Sequence, residues 1–346
     1  MKAAVFHRSG MPLSIEDIAD PEPSPNHMIL SVCACGICGT DLHWSDVNNA
    51  ESDWRDINPG AVMGHEFAGE IVEVGRNVEG GWKVGDRVCA MPQLGCGTCV
   101  SCLAGRPHRC PNAKIRASSG LPGAYAEYTR IGVQETLRLP EAVSFQEGAL
   151  VEPLAVGLHA VKRARLQPGD NVLIVGGGPV GLSVALWCKF FGARHIVVSD
   201  LIMTRAEGAG KFGATAAIDA SKDDVSERFI ELTRGDPTVV FDAVGVPGSM
   251  RRAIGYAPID GRVVVVGLCM VADNFKPSEA VLKEIDLVFC FCYDKSDFEM
   301  SIDMLAQGRI DAAGLVTHAV GFESFPGAFE ALKKPSDQIK VMLEPD

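Results

Sequence analysis

The sequence contains no uninterrupted apolar stretch of the kind that spans a membrane. Residues 171–188 carry no charge, but three glycines and a proline interrupt the run at 176–179. At the N-terminus, charged residues appear before any apolar segment of signal-peptide length can develop. We therefore predict neither a membrane span nor a secretory signal, and the twelve cysteines point to a reducing, cytoplasmic location.

Positive charge is also scarce. The chain has 32 lysines and arginines against 44 aspartates and glutamates, a formal net charge of -12. A surface of this sign repels the phosphate backbone, so a nucleic-acid partner is not expected. The sequence shows no internal repeat and no low-complexity tract, and its 346 residues are enough for two domains.

The pattern of secondary structure changes along the chain. Residues 1–150 contain short strand-like runs separated by glycine and proline, which predicts a β-rich domain. Between 151 and 289, short runs of valine and isoleucine alternate with segments of helical length. This alternation is typical of an α/β domain with a doubly wound parallel sheet. We expect residues 290–346 to return to the first domain and complete it.

Four closely spaced cysteines form the most specific motif of the first domain. They are separated by two, two and seven residues, and glycine and proline between them permit tight reversals of the chain. This spacing predicts a structural zinc site with four thiolate ligands, Cys96, Cys99, Cys102 and Cys110. Two disulfides, or unpaired core cysteines, are the alternatives.

A glycine-rich turn lies between a predicted strand and a predicted helix. Residues 176–181 read GGGPVG and fit the pattern G-x-G-x-x-G, which places backbone N–H groups at a pyrophosphate. We therefore predict a dinucleotide contact by Gly176, Gly178, Pro179, Val180 and Gly181. An ordinary strand-to-helix turn is the alternative.

Asp200 ends the next predicted strand, where a carboxylate can accept hydrogen bonds from both hydroxyls of the adenosine ribose. It would repel a 2′-phosphate, and no arginine follows immediately, so NAD is predicted over NADP. Asp200 can instead serve as a helix N-cap, and the two roles are compatible.

A second possible metal site combines Cys38 in GICGTDLH with His65 and Glu66 in MGHEFAG. A thiolate, an imidazole and a carboxylate suit a catalytic zinc that keeps one position open. Glu152 in VEPLAVGLHA can supply a further carboxylate. Taken singly, each of these residues also fits an ordinary structural role.

Together, these motifs are similar to those of the zinc-dependent medium-chain alcohol dehydrogenases, and the similarity extends over nearly the whole chain. The polyol and secondary-alcohol branch, with sorbitol, butanediol and threonine dehydrogenases, is the most similar. The resemblance implies a GroES-like catalytic domain, a Rossmann coenzyme domain, NAD, two zinc ions per chain, and a homo-oligomer, a tetramer rather than a dimer. The motifs are GICGTDLH, GHEFAGEIVEVG, GDRV, the four-cysteine loop, GAYAEY, VEPLAVGLHA and VGGGPVGL.

The resemblance also implies roles for single residues. Cys38 and His65 would bind the catalytic zinc, with Glu66 and Glu152 binding directly or through water. Thr40 and His43 would relay the alcohol proton to solvent. Lys340 would face the cofactor phosphates. The resemblance adds three further cofactor contacts, at Arg205, Val244 and Gly267.

Three positions suggest which alcohol is the substrate. Relative to sorbitol dehydrogenases, Trp44 and Phe291 would each replace a tyrosine, and Cys290 an arginine. These changes predict a secondary alcohol or vicinal diol with a hydrophobic body, oxidised to a ketone, and poor activity on sorbitol.

Two other classes of protein share part of this pattern. A zinc-free quinone or enoyl reductase has the same two-domain architecture but no use for Cys38, His65 and Glu66 together. A non-enzymatic zinc-loop binding protein would not need the glycine-rich turn. Zinc content and a change of NADH fluorescence separate the three possibilities.

Overall fold

The computed structural model describes residues 1–46, 57–118, 120–334 and 336–345. Within these ranges the chain forms two antiparallel or mixed sheets, a short hairpin and one parallel sheet. The predicted combination of a β-rich unit with a doubly wound α/β unit is confirmed. The strands are β1 (Lys2–Phe6), β2 (Ser14–Asp17), β3 (Met28–Gly36), β4 (Ala61–Val62), β5 (Glu66–Val74), β6 (Arg87–Ala90), β7 (Gln93–Leu94), β8 (Lys114–Ile115), β9 (Tyr128–Ile131), β10 (Thr136–Arg138), β11 (Asn171–Val175), β12 (His195–Asp200), β13 (Ala216–Asp219), β14 (Val239–Asp242), β15 (Arg262–Val265), β16 (Asp286–Phe289), β17 (Val316–Val320) and β18 (Lys340–Leu343).

The larger sheet of the β-rich unit has the order β10-β6-β5-β3-β18-β17, and β9 also pairs with β3. Strand β18, from the end of the chain, lies antiparallel to β3 through Met342 opposite Gly36. The chain therefore returns to its first sheet at its end. Strand β5 pairs with β3 on the other side, so that Glu66 lies opposite Gly36. Residues from both ends of the sequence thus meet at one point of the sheet.

The parallel sheet has the order β13-β12-β11-β14-β15-β16. Strands β11 and β14 are neighbours, and the chain reverses its direction of winding between them. The carboxyl ends of parallel strands at such a point form a crevice where nucleotides bind. The glycine-rich turn follows β11 directly at Gly176.

The helices connect these sheets. Helix α3 is the longest; Ser144 caps its N-terminus by accepting a hydrogen bond from the backbone N–H of Glu147, 3.2 Å away. It packs against α4, where a Cβ atom at Gly157 would lie 2.2 Å from Ser183 Oγ. The helices are α1 (Gly39–Ser45), α2 (Val100–Leu103), α3 (Phe145–Arg163), α4 (Pro179–Phe190), α5 (Met203–Gly208), α6 (Val225–Thr233), α7 (Ser249–Tyr256), α8 (Pro277–Val281), α9 (Lys295–Ala306) and α10 (Phe325–Ala331).

The largest apolar core joins the two units. Side chains of α3, α4 and α9, such as Leu154, Trp187 and Phe298, belong to one continuous buried cluster. In the ranges given above, every helix is too short or too polar to cross a lipid bilayer.

Candidate active site

Cys38, His65 and Glu66 come together at one edge of the β3–β5 pair. Cys38 is the N-cap of α1, which follows β3, and His65 and Glu66 stand at the start of β5. One ligand atom from each residue lies within 4.8 Å of the others. His65 and Glu66 are buried and Cys38 is half-buried. A thiol, an imidazole and a carboxylate at this spacing form a donor set that fits zinc.

The Asp41 carboxylate lies within ion-pair distance of the imidazole of His65. Its Oδ1 atom lies 3.2 Å from His65 Nδ1, and its side chain is fully buried. Burial lowers the pKa of His65, but the charges of Asp41 and Cys38 outweigh this effect and raise it well above its ordinary value. The Tyr125 hydroxyl donates to Asp41 Oδ2 over 2.5 Å. A carboxylate behind a metal-binding histidine fixes the ring and its tautomer.

Asp41 and Tyr125 are site residues that the sequence motifs alone do not reveal. Asp41 lies in GICGTDLH, three residues after Cys38, but its role depends on Tyr125, which is 84 residues away. The sequence signal for Asp41 is its place within GTDLH, which puts it in the first turn of α1, close to Cys38.

The ammonium group of Lys340 lies inside the β-rich unit, beside Glu66. Its ammonium donates to both carboxylate oxygens of Glu66, at 2.7 and 2.6 Å, and to the carbonyl of Ile37 at 2.8 Å. The side chain is 2 % exposed. These hydrogen bonds go to groups inside the β-rich unit, and a role of Lys340 at the cofactor phosphates stays a prediction.

Glu152 lies in α3 beside the first three site residues. It is 7 % exposed, and burial raises its pKa to about 7, while the charge of His65 acts in the opposite direction. Tyr293 is buried next to it; burial and the charge of Glu152 raise the pKa of the phenol well above its ordinary value. Gln93 Nε2 donates to Cys292 Sγ over 3.1 Å. Burial, and then Glu152, raise the pKa of that thiol.

The predicted substrate-facing pair, Cys290 and Phe291, lies two residues before the side chains that adjoin Glu152. The ring of Phe291 faces His108, with centroids 6.3 Å apart, and the side chain is 39 % exposed. Burial raises the pKa of the Cys290 thiol to about 12, while the charge of Arg163 acts in the opposite direction. Cys292 and Tyr293 lie beside Glu152 instead. Cys290 and Phe291 stay a prediction as substrate contacts, and the structure adds Cys292 and the Tyr293 hydroxyl beside Glu152.

Trp44 is buried, with its ring centroid 6.2 Å from that of His65. It also lines a surface cavity with Phe6 and Ile57. Thr40 and His43 lie on α1 between Cys38 and Trp44, and both are half-buried. Burial lowers the pKa of His43, opposed by the nearby charge of Asp46. The structure thus brings Trp44 to the metal-ligand cluster and places the two relay candidates on the same short helix.

The four-cysteine loop lies between β7 and β8, which pair and close its base. One sulfur atom from each cysteine lies within 4.8 Å of the other three. The twelve cysteines, all in the described ranges, form no disulfide. A Cβ at Gly95 would lie 2.3 Å from Cys102 Sγ, so glycine permits the close approach of the backbone. Four convergent thiols without disulfides fit a tetrahedral zinc ion.

The glycine-rich turn has the geometry of a nucleotide cradle. A Cβ at Gly181 would lie 1.9 Å from the carbonyl oxygen of Gly176, whereas one at Gly178 would meet open space. Asp200 Oδ2 accepts a hydrogen bond of 2.7 Å from Gly177 N, and its Oδ1 accepts one of 2.8 Å from Ile202 N. Its carboxylate therefore lies directly beside the turn.

Two of the remaining predicted cofactor residues, Arg205 and Val244, lie beside the same turn. A Cβ at Gly177 would lie 3.2 Å from the backbone of Arg205, and one at Gly176 would lie 3.0 Å from Val244 Cγ2. Arg205 Nη2 donates to the carbonyl of Gln338 over 3.0 Å. Gly267 packs against the segment after β14, where a Cβ would lie 2.3 Å from Gly245 N.

Comparison with known proteins defines the class. Residues 24–141 match the model of the alcohol dehydrogenase GroES-like domain, and residues 179–307 match that of the zinc-binding dehydrogenase. The chain belongs to the zinc-dependent medium-chain alcohol dehydrogenase family and, with the relatives described next, to its polyol branch. It is an alcohol dehydrogenase.

Individual relatives match the chain from end to end. Sorbitol dehydrogenase of Bacillus subtilis is 34% identical over 358 residues, covering 100% of this chain and 98% of the relative. The solved structure of 2R,3R-butanediol dehydrogenase from Bacillus subtilis is 32% identical, with a TM-score of 0.88 over 100% of this chain and 99% of that one. A protein of Sinorhizobium meliloti, solved with NADP bound, is 28% identical, with a TM-score of 0.89 over 99% of both chains.

Proposed function

We propose that the chain interconverts a secondary alcohol or vicinal diol and the corresponding ketone, with NAD as the hydride acceptor. The observation that carries this proposal is the Cys38–His65–Glu66 cluster, with Asp41 behind His65, in a chain that also holds a glycine-rich turn beside Asp200. The cluster would supply a site for the alcohol oxygen, and the glycine-rich turn would supply a site for the dinucleotide.

Two zinc ions per chain are proposed, because the two donor sets share no residue. The four cysteines would hold a structural ion, and Cys38 and His65 a catalytic one. Zinc at the latter site supplies a Lewis acid that lowers the pKa of a bound hydroxyl. Replacing Cys102 with serine tests the assignment: zinc content should fall from two to one per chain and the melting temperature should drop. A fully active wild-type protein with at most one tightly bound zinc per chain contradicts it.

Glu66 and Glu152 are proposed to play different parts. Both oxygens of Glu66 accept hydrogen bonds from Lys340, so this carboxylate is partly neutralised. Glu152 receives no such ammonium and lies beside Tyr293. We therefore assign Glu152 as the further carboxylate facing the metal, directly or through water, and Glu66 as the carboxylate that fixes Lys340 behind it.

Proton transfer is proposed to run along α1. Thr40 would accept the hydroxyl proton and pass it, through the cofactor ribose, to His43. The pKa of His43 is lowered by burial, so the neutral imidazole is available as an acceptor below the ordinary value of 6.5. Nicotinamide accepts the hydride when the cofactor is bound.

The preference for NAD rests on Asp200. Its carboxylate accepts bonds from Gly177 N and Ile202 N, which hold it beside the turn. A 2′-phosphate at this place would meet a negative charge. The NADP-bound relative shows that the fold also admits the other cofactor, so the assignment depends on this residue rather than on the fold.

Unpaired polar atoms in the site favour a vicinal diol over a simple secondary alcohol as the substrate. Gln93 Oε1 and the Tyr293 hydroxyl are buried polar atoms without a hydrogen-bond partner in the described part of the chain. A second substrate hydroxyl would satisfy one of them, and leaving both unpaired is costly. Trp44 and Cys292 supply an apolar contact and a weak thiol donor, which suit a hydrophobic body better than a sugar alcohol.

The substrate proposal is tested with a panel of matched alcohols, measuring NADH production. We expect kcat/KM to be highest for aliphatic or cyclic vicinal diols, lower for the same alcohols without the second hydroxyl, and poor for sorbitol and xylitol. The variant Gln93→Leu should reduce the preference for the diol without changing activity on the simple alcohol. A sorbitol value above those of the other alcohols would overturn the proposal.

Assembly and location are proposed on two surface features. Strand β16 is an edge of the parallel sheet, and its Phe289 is 61% exposed; nearby Leu282 is 81% exposed. A second copy of the chain would cover this edge, which supports a homo-oligomer, and the family resemblance favours a tetramer over a dimer. Light scattering at several concentrations measures the mass. The twelve unpaired cysteines support a reducing, cytoplasmic setting.

A further inference from the structure

A third group of potential metal ligands lies outside both proposed zinc sites. His108, His159 and Asp294 each offer one ligand atom, and these atoms lie within 4.8 Å of one another. His108 belongs to the 3₁₀ turn Pro107–Arg109 in the cysteine loop, His159 to α3, and Asp294 is the N-cap of α9. None of the three belongs to the other two ligand sets.

The imidazole of His159 has a carboxylate partner of the kind that metal-binding histidines have. Its Nδ1 lies 2.7 Å from Asp297 Oδ2, and the Asp297 side chain is fully buried. Lys162 also donates to Asp297 Oδ1 over 2.6 Å, which keeps the aspartate ionised. A carboxylate at Nδ1 fixes that nitrogen as the proton carrier and leaves Nε2 with its lone pair free. Nε2 is therefore the nitrogen of His159 that can bind an ion in this cluster.

The other two residues carry unsatisfied atoms. The side chain of His108 is 2 % exposed, and its Nδ1 has no hydrogen-bond partner within the described ranges. Asp294 Oδ1 is likewise buried and unpaired, 4.0 Å from His108 Nε2. Buried polar atoms without partners are rare in native structures and call for an unseen partner. Here His108 Nδ1 and Asp294 Oδ1, on two neighbouring side chains, share that condition.

Two arginines lie at the margin of the cluster. Arg106 Nε donates to Asp294 Oδ2 over 3.3 Å, which leaves Oδ1 available. Arg109 Nε donates to His108 Nε2 over 3.1 Å. Both side chains are exposed, so their guanidinium groups can turn to solvent when a cation enters. Their charge lowers the affinity for a cation, and a cation reaches His108 Nε2 only after Arg109 turns away, whereas His108 Nδ1 has no hydrogen-bond partner in the described ranges.

We propose that His108, His159 and Asp294 form a third metal site that takes a divalent zinc-type ion. Two imidazoles and a carboxylate are a donor set for zinc or cobalt with one further position open. A tetrahedral ion at about 2.0–2.1 Å separates its ligands by about 3.3 Å, so the cluster closes slightly on binding. The ion would tie the cysteine loop to α3 and α9.

The test uses the purified full-length protein with its tightly bound zinc in place, titrated with Co²⁺. We expect one further ion per chain, with visible d–d absorption but without the intense thiolate-to-cobalt band that a cysteine site would give. Asp294→Asn keeps a good N-cap for α9 and should weaken this binding at least tenfold. His108→Gln should do the same, and His318→Gln, which removes an exposed histidine of β17, should not.

Three outcomes would overturn the proposal: no cobalt binding beyond the original zinc, a thiolate band in the cobalt spectrum, or equal affinity in Asp294→Asn and wild type. Equal weakening in all three variants would also reject it, since that marks non-specific binding. Because His108 lies in the cysteine loop, zinc content is measured in each variant. If His108→Gln also loses the structural zinc, Asp294→Asn decides the result.

Discussion

Lys340 and Glu66 form a buried ion pair between the last strand of the chain and the strand that begins at the metal-ligand cluster. The ammonium donates to both carboxylate oxygens, at 2.7 and 2.6 Å, across 274 residues of sequence. Each side chain is 2 % exposed. Neither charge has access to water, so each depends on the other for its stability in the fold.

The first prediction concerns this pair. Lys340→Met leaves the Glu66 carboxylate buried and unpaired, and we expect the free energy of unfolding to fall by about 3–5 kcal/mol. Denaturant titration measures the change. Lys211→Ala, at an exposed lysine, should change stability by less than about 0.5 kcal/mol. The double variant Glu66→Gln with Lys340→Met should recover part of the loss, and strict additivity of the two single effects would refute the coupling.

The second prediction concerns Asp41. Asp41→Asn removes the charged acceptor 3.2 Å from His65 Nδ1, so zinc affinity at the catalytic site should fall about 10–100-fold. Competition with a chelator measures the affinity, and added zinc should restore part of the activity. Tyr125→Phe, which removes a donor to Asp41 but not the carboxylate, should have a smaller effect. Unchanged zinc retention in Asp41→Asn would reduce Asp41 to a packing role.

The third prediction compares His43 with Cys38 across pH. The pKa of His43 is lowered by burial, so the wild-type residue remains a neutral proton acceptor below pH 6.5. His43→Ala removes this acceptor, and turnover should fall most on the acid side, where hydroxide is scarce. External base should rescue part of the rate. Cys38→Ser should abolish activity at every pH; an identical profile for His43→Ala would assign His43 to structure.

The fourth prediction concerns cofactor choice. Asp200→Ala removes the proposed ribose acceptor and the charge that repels a 2′-phosphate. We expect kcat/KM with NAD to fall at least tenfold, about 1.4 kcal/mol, while that with NADP rises. Asp223→Ala, at an exposed aspartate, should leave the ratio of the two values unchanged. A wild-type preference for NADP would contradict the assignment of Asp200.

The parts of the fold and site that could be predicted from sequence depend on the spacing of residues within short segments. The four cysteines and the glycine-rich turn lie within short segments, so their geometry depends on a few backbone torsions that the residue types restrict. The alternation of strands and helices likewise predicts the parallel sheet. In these segments, the residues that make the structure are close neighbours in the sequence.

Long-range contacts could not be predicted in the same way. The partner of Lys340 depends on β18 pairing with β3, which no local pattern specifies. Asp41 accepts a hydrogen bond from Tyr125, which is 84 residues away in the sequence. The segment after β16 runs irregularly through Cys292, which has a φ of 52°, so no strand periodicity indicates which of its side chains lie beside Glu152.

The contact between Gly157 and Ser183 restricts how this sequence can evolve. A Cβ at 157 would lie 2.2 Å from Ser183 Oγ and 2.8 Å from the backbone carbon of the same residue. A smaller residue at 183 removes the first clash but not the second. Alanine at 157 therefore requires α4 itself to move, and α4 begins at the glycine-rich turn. Alanine is the residue closest to glycine in size, yet no change confined to positions 157 and 183 makes room for it at 157.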